Sequence, residues 1–372
     1  MKFHIVKREN CPLWKKCVLY LGAVLLALTL GAVLLMLLGV DPIAYYTRMF
    51  TMGTIGNKIA YKVYINYLKD FVPLVLTSVA LSLAFKMRFW NIGGEGQFIL
   101  GAIAAAFVAF KAGPVLPNGV TLILMCLAAM VVAGLYGVFV AALKVRFGTN
   151  ETLMTLMLNY VALYVLIYLG ETKAPWNFFL DEASVRPVFA SFAKIVSFPS
   201  IPMAGKFSLN ICVVLTFLLG AAIYVYLKYT KHGYEISVVG DSAGTARYAG
   251  MKVNAIVLRT VFLSAALIGL AAAFKVGTAG ILSTAITDDV GWTGIIVAWL
   301  SQLNTAVIFV VSALICVLHY GSTVAAATFS QVDSSFANML QGVILFLVLA
   351  ADFFTRFRVV AVKKGGKNNG NG

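Results

Sequence analysis

Residues Val18–Val40 form a run of 23 residues without a single charge. As a helix rising 1.5 Å per residue, such a run is roughly 34 Å long, enough to cross the hydrocarbon core of a bilayer. A chain that carries it is either cleaved after it or held in a membrane. A signal peptide has an apolar core of about 7–15 residues and an A-x-A-like cleavage site. This run is longer and closes on Gly39-Val40-Asp41-Pro42, so it reads as a retained first span. Nine further apolar stretches follow, at 71–85, 97–110, 120–143, 152–170, 207–227, 260–274, 291–303, 306–319 and 337–352. With 61% hydrophobic and only 12% charged residues, the chain lacks the polar surface that a soluble fold of 372 residues needs. Ordinary domains are about 25% charged. The predicted fold class is therefore all-α: a polytopic membrane protein of about ten transmembrane helices. The stretches 71–85, 97–110, 291–303 and 306–319 fall short of the roughly 20 residues of a straight span. They are expected to borrow polar neighbours, break at glycine or re-enter.

Charge sets the expected sidedness. With the N-terminus inside and ten crossings, 19 of the 29 Lys and Arg residues lie inside and 10 outside. Positive charge accumulates on the cytosolic side of membrane proteins, so both termini and the basic stretch 228–259 are expected in the cytosol. The domain plan is a cytosolic segment 1–17, a transmembrane domain 18–352 and a basic, disordered cytosolic tail 353–372. Within the membrane domain, 171–206 is an outside loop and 228–259 a cytosolic one.

The net charge of +15 does not signal nucleic acid. Its cations sit in short runs between apolar stretches, with no basic helical face and no stacking aromatics beside them. Cys11, Cys17, Cys126, Cys212 and Cys316 form no CxxC, and His4, His232 and His319 are far apart, so neither a disulfide framework nor a metal site is expected. Catalytic patterns are missing too. There is no G-x-S-x-G, and Gly205-Lys206 runs into Phe207 without the upstream glycine of a Walker A loop. The chain reads as a non-enzyme.

Four stretches carry polar groups in apolar surroundings. In Asn91-Ile92-Gly93-Gly94-Glu95-Gly96-Gln97, three glycines in four residues break a helix and admit close backbone approach. This is either a gate or an interfacial turn whose Glu95 caps the next helix. In Asn150–Tyr160, Thr152, Thr155 and Asn159 share one helical stripe, facing either a pathway or a neighbouring helix. In the basic loop, Ser242–Tyr248 is predicted to form a short helix with Asp241 as N-cap, suited to docking in a groove on a partner. In Asp288–Asn304, Asp288 and Trp292 fit an outer interface, while Gln302 and Asn304 are polar positions in an apolar region.

Together these stretches resemble the permease subunits of bacterial ABC importers of the ribose, nucleoside and branched-chain amino acid type. Asn91–Gln97 is similar to the N-I-G-x-E-G-Q signature of the nucleoside or simple-sugar branch. Asn150-Glu151 with Thr155–Tyr160 resembles the motif that follows. Val239-Gly240 and Ala246–Gly250 resemble the coupling-loop pattern V-G-x-N-x-x-A-A-R-Y-A-G, with Asp241 in place of its Asn. Gly291–Ile295 resembles the late G-[FW]-T/D-G-I segment. The resemblance covers about residues 40–352.

It implies a ten-helix permease in a bacterial cytoplasmic membrane, importing nucleosides, most of all purine nucleosides, by alternating access. A simple sugar is the alternative cargo. Its implied partners are a second permease chain, a cytosolic ABC ATPase that binds the ATP and Mg, and an extracytoplasmic substrate-binding lipoprotein, besides membrane lipid. This chain itself would need no cofactor. Asn91, Glu95, Gln97, Asn159, Gln302 and Asn304 are the expected pathway residues. Gly240, Asp241, Arg247, Tyr248 and Gly250 are the expected ATPase-coupling residues. A rival of another class is a secondary transporter driven by an ion gradient. The sequence speaks against it, because Asp70 and Asp352 fall at the ends of the apolar runs.

Overall fold

The computed structural model describes residues 2–7, 12–57, 59–193, 196–203, 207–329, 331–332 and 334–362. It is almost entirely helical. In chain order its elements are β1 (Lys2–Lys7), α1 (Leu13–Leu37), α2 (Pro42–Phe50), α3 (Ala60–Lys86), α4 (Gly94–Ala112), α5 (Asn118–Phe147), α6 (Glu151–Glu171), β2 (Ser200–Pro202) and β3 (Ser208–Asn210). They continue with α7 (Ile211–Tyr229), α8 (Lys231–Asp241), α9 (Ala243–Tyr248), α10 (Val253–Ala279), α11 (Val290–Leu300), α12 (Thr305–Ala326), α13 (Ser334–Arg356) and β4 (Phe357–Val362).

Among the described residues, nine helices are long and apolar enough to cross a membrane: α1, α3, α4, α5, α6, α7, α10, α12 and α13. The chain is an all-α polytopic membrane protein. The one remaining apolar stretch, expected at 291–303, holds only the 11-residue α11. It is bounded by pairs of left-handed residues, Asp288-Asp289 before it and Gln302-Leu303 after it.

Local chemistry sets many of these ends. Asn150, Asn210 and Thr230 turn side-chain oxygens onto the first free N–H groups of α6, α7 and α8. Gly148 and Gly280 close α5 and α10 in the left-handed conformation. Lys144 and Glu151 pair across the short α5–α6 turn.

Two compact units emerge. The larger, residues 58–316, is built on α3, α4, α5 and α10. In α3 every residue from Phe71 to Phe85 is buried, and in α10 every residue from Ser264 to Phe274. Small residues let these helices meet closely. A Cβ on Gly101 would stand 2.7 Å from the Cα of Gly269, and one on Gly269 would stand 2.2 Å from the Ala129 carbonyl oxygen. The helices also extend beyond their apolar runs. α3 begins at Ala60, so Asp70 lies within the helix rather than at its edge, and it pairs with Lys275 of α10 at 2.6 Å.

In the smaller unit, residues 1–57 and 317–372, α1 packs on α13 and Tyr20 donates to Asp352 at 2.7 Å. Asp352 is thus a buried, bonded residue inside a helix. Ala27, Leu35, Tyr45, Met49, Leu340 and Ile344 form this unit's core. β1 pairs antiparallel with β4, Lys2 opposite Val362 and Lys7 opposite Phe357. The expected tail 353–372 therefore starts as the last turn of α13 and a paired strand. Its remaining part, 363–372, lies outside the described residues. The expected loop 228–259 is likewise mostly helix, comprising α8, α9 and the first turns of α10. Within 171–206, β2 joins β3 in a hairpin that crosses its end.

Candidate functional site

The turn between α3 and α4 holds the first polar cluster. Asn91 and Gln97 exchange amide hydrogen bonds: Asn91 Nδ2 donates to Gln97 Oε1 at 3.1 Å, and Gln97 Nε2 donates to Asn91 Oδ1 at 3.0 Å. The same Asn91 oxygen accepts from the Gly93 N–H. Asn159, in the middle of α6, clamps this turn from the side. Its Oδ1 accepts from Gly96 N–H at 2.8 Å, and its Nδ2 donates to the Ile92 carbonyl at 2.9 Å. Thr155, one turn earlier, accepts from the Ile92 N–H. Glycine at 96 makes the contact possible, because a Cβ there would stand 3.1 Å from the Asn159 Cα. Asn91, Gln97 and Asn159 are all buried. Their amides are saturated by one another and by backbone, as polar groups out of water require.

Glu95 turns the other way. Its Oε2 accepts from the Gly291 N–H at 2.8 Å, and the Thr287 hydroxyl also reaches it. A carboxylate thus sits on the first turn of α11, where the helix presents unpaired N–H groups and its positive end. The expectation that Glu95 caps the helix it begins is replaced by a cap on a helix 196 residues away. Gly291 is required here, since a Cβ would fall 2.5 Å from the Glu95 carboxylate.

Glu95 and Asn159 open onto a cavity of about 360 Å³ that Tyr160, Thr284, Thr287, Asp288, Asp289 and Trp292 also line. Sequence reading missed most of this set. It placed Asp288 and Trp292 at an outer interface and passed over Tyr160 and Asp289. The usable signal was the acidic pair Asp288-Asp289, one residue before Gly291-Trp292, whose left-handed backbone (φ 48° and 55°) turns the chain into α11. The cavity offers carboxylate acceptors beside two aromatic rings. That suits a neutral, hydroxylated, partly flat solute.

Gln302 and Asn304 do not join this cluster. They follow α11 and line a separate cavity with Lys86, Tyr224, Lys228 and Thr305. Near the end of α11, Trp299 stacks on Trp90 at 5.2 Å and lies against Phe85 at 5.5 Å.

The expected coupling residues lie together on α8, α9 and the turn after them. Gly240 and Asp241 close α8, Arg247 and Tyr248 end α9, and Gly250 turns the chain at φ 77°. The cap of α9 is Ser242, whose Oγ accepts from Thr245 N–H at 3.2 Å, and not Asp241 as expected. Asp241 is still helical, so only the extended Ser242 can present an oxygen to the new helix. α9 shows Arg247 and Tyr248 to the outside, Tyr248 97% exposed, while Ala246 is fully buried. Behind them Ile236, Val239 and Ala246 pack with Met87 and Phe89 of the α3–α4 turn. Gly240 lies so close to α3 that a Cβ would stand 2.0 Å from the Lys86 carbonyl oxygen. The exposed helix and the buried amide cluster are therefore joined through one short turn, residues 86–97.

Residues 63–349 match the family described as branched-chain amino acid transport system / permease component. The chain belongs to this permease family. The permease is 29% identical over 357 residues to the guanosine ABC transporter permease of Bacillus subtilis, covering 93% of this chain and 96% of that one. It is 28% identical over 360 residues to the glucose ABC transporter permease of Haloferax volcanii, covering 95% and 92%. With the nucleoside ABC transporter permease of Lactococcus lactis it shares 24% identity over 312 residues, covering 83% and 84%. It is an ABC transporter permease of the nucleoside or sugar type: a multi-pass, non-enzymatic subunit.

Proposed function

We propose that this permease imports purine nucleosides across a bacterial cytoplasmic membrane by alternating access. The observation that carries the reading is the cavity at Glu95, where carboxylates stand beside Tyr160 and Trp292. The acceptors suit the vicinal hydroxyls of a ribose, and the rings suit the flat face of a base. The guanosine and nucleoside permeases among its relatives support the same cargo class. A cytosolic ABC ATPase, binding ATP and Mg, docks on the Arg247–Tyr248 face. Its closure moves α8 and α9, and the 86–97 turn carries the movement to α4, α6 and α11. A second, related permease chain completes the pathway. An extracytoplasmic lipoprotein delivers cargo to the 171–206 side and supplies most of the selectivity, so contacts in the cavity need only be weak. Asn91, Gln97 and Asn159 act by holding the turn, while Glu95 faces the solute.

The test is uptake of labelled guanosine by cells carrying the complete transporter, with unlabelled adenosine, cytidine or glucose as competitors. Purine nucleosides are expected to compete strongly and glucose not at all. Competition by glucose alone would make this a sugar permease, the reading that the Haloferax relative favours.

A further inference from the structure

Gln302 and Asn304 share their cavity of about 420 Å³ with Lys86 at the end of α3, Tyr224 and Lys228 at the end of α7, and Thr305, the first residue of α12. Two lysines line it, and no carboxylate does. The acidic residue on the next helix, Glu235 of α8, is taken up by Arg259 at 2.9 Å and Lys231 at 4.0 Å. α12 adds its positive end, and Asn304 Oδ1 satisfies only its Ala306 N–H, at 3.0 Å. A cavity so lined is poorly matched to a neutral solute in transit. Its chemistry asks for an anion with several oxygen acceptors.

The walls beside it say which one. From the cavity, α12 runs on with Val307, Val310 and Leu314 exposed, an apolar stripe at helical spacing. Val225 continues the apolar surface beside Tyr224 on α7. A soluble phosphate would leave this stripe unused, whereas acyl chains would cover it.

We propose that this cavity binds the phosphate headgroup of an anionic lipid, with the chains lying along Val307, Val310 and Leu314. Lys86 and Lys228 pair with the phosphate, and Gln302, Asn304 and Thr305 donate to its oxygens or to a glycerol headgroup. Basic pockets between spanning helices are suited to such headgroups. The bound phosphate bridges α3, α7 and the 301–304 turn, and so steadies the end of α11 that carries Trp299.

The experiment uses the full-length chain purified in detergent, with retained lipid measured by native mass spectrometry against added phosphatidylglycerol, phosphatidylcholine or inorganic phosphate. Phosphatidylglycerol is expected to be retained over phosphatidylcholine, and Lys86→Gln or Lys228→Gln each to lower that retention about five-fold. Lys228→Gln changes an exposed residue, so its unfolding temperature should match wild type and its loss of lipid cannot be assigned to misfolding. Equal retention of both lipids, or full retention by Lys228→Gln, would overturn the proposal. Displacement of the lipid by millimolar inorganic phosphate would make the site one for a soluble anion instead.

Discussion

Single side chains decide whether the 91–97 turn holds. Asn159 satisfies a donor on Gly96 and an acceptor on Ile92 at once. Asn159→Leu strands both in a buried place, at about 1–3 kcal/mol for each unsatisfied group. It should lower the unfolding midpoint of the purified permease by several degrees and abolish uptake. Thr152→Val, on the same stripe but half-buried and outside the clamp, should leave the midpoint where it is. An unchanged midpoint in Asn159→Leu would remove the clamp from the account. Polar residues in apolar surroundings made Asn91, Glu95, Gln97 and Asn159 legible in the sequence, because each had to find a partner inside the protein. What no local pattern could show was direction. Glu95 bonds a glycine 196 residues away, and nothing beside Gln302 or Asn304 announces that they face two lysines.

At the scale of elements, apolar runs located nearly every helix but misjudged two of them. Asp70 and Lys275 cut the runs short in the sequence, while in the fold each neutralises the other and both helices continue past them. Their side chains are 25% and 15% exposed, so removing one partner leaves a poorly hydrated charge. Asp70→Asn should therefore destabilise the protein more than Asp70→Leu with Lys275→Leu together. Thermal melts of the three variants in one detergent make the comparison, and the reverse order would show the pair to be solvated. The joint between α8 and α3 supports a second expectation. Gly240→Ala places a methyl group 2.0 Å from the Lys86 carbonyl, which forces the two helices apart. If this joint transmits movement, the assembled transporter should still hydrolyse ATP but import several-fold less cargo per ATP. A parallel fall in both rates would mean a damaged complex rather than a broken linkage.

For the molecule as a whole, β1 pairs with β4, so residues 2–7 and 357–362 are expected on one side of the membrane. Nine spanning helices alone would put them on opposite sides. The stretch 280–300, which reaches Ser191 at one end through Ile281 and closes with Trp299 on Trp90 at the other, is the expected site of the missing crossing, as a run of turns followed by the short α11. Reporter fusions at the two termini should thus give the same sidedness, cytosolic by the charge pattern. A cysteine at Arg186, in a chain freed of its own cysteines, should label from the opposite side. Opposite sidedness of the two ends would return the count to nine. The paired ends also impose an order on biogenesis. Phe357 is made 350 residues after its partner Lys7, which at roughly 5–20 residues per second is about 18–70 s of translation. Throughout that interval α1 is in the bilayer without α13, and β1 is an open strand edge at the membrane surface. The first segment synthesised is among the last to be finished, so a ribosome stalled near the end of the message would leave an inserted permease whose first strand and first helix still lack their partners.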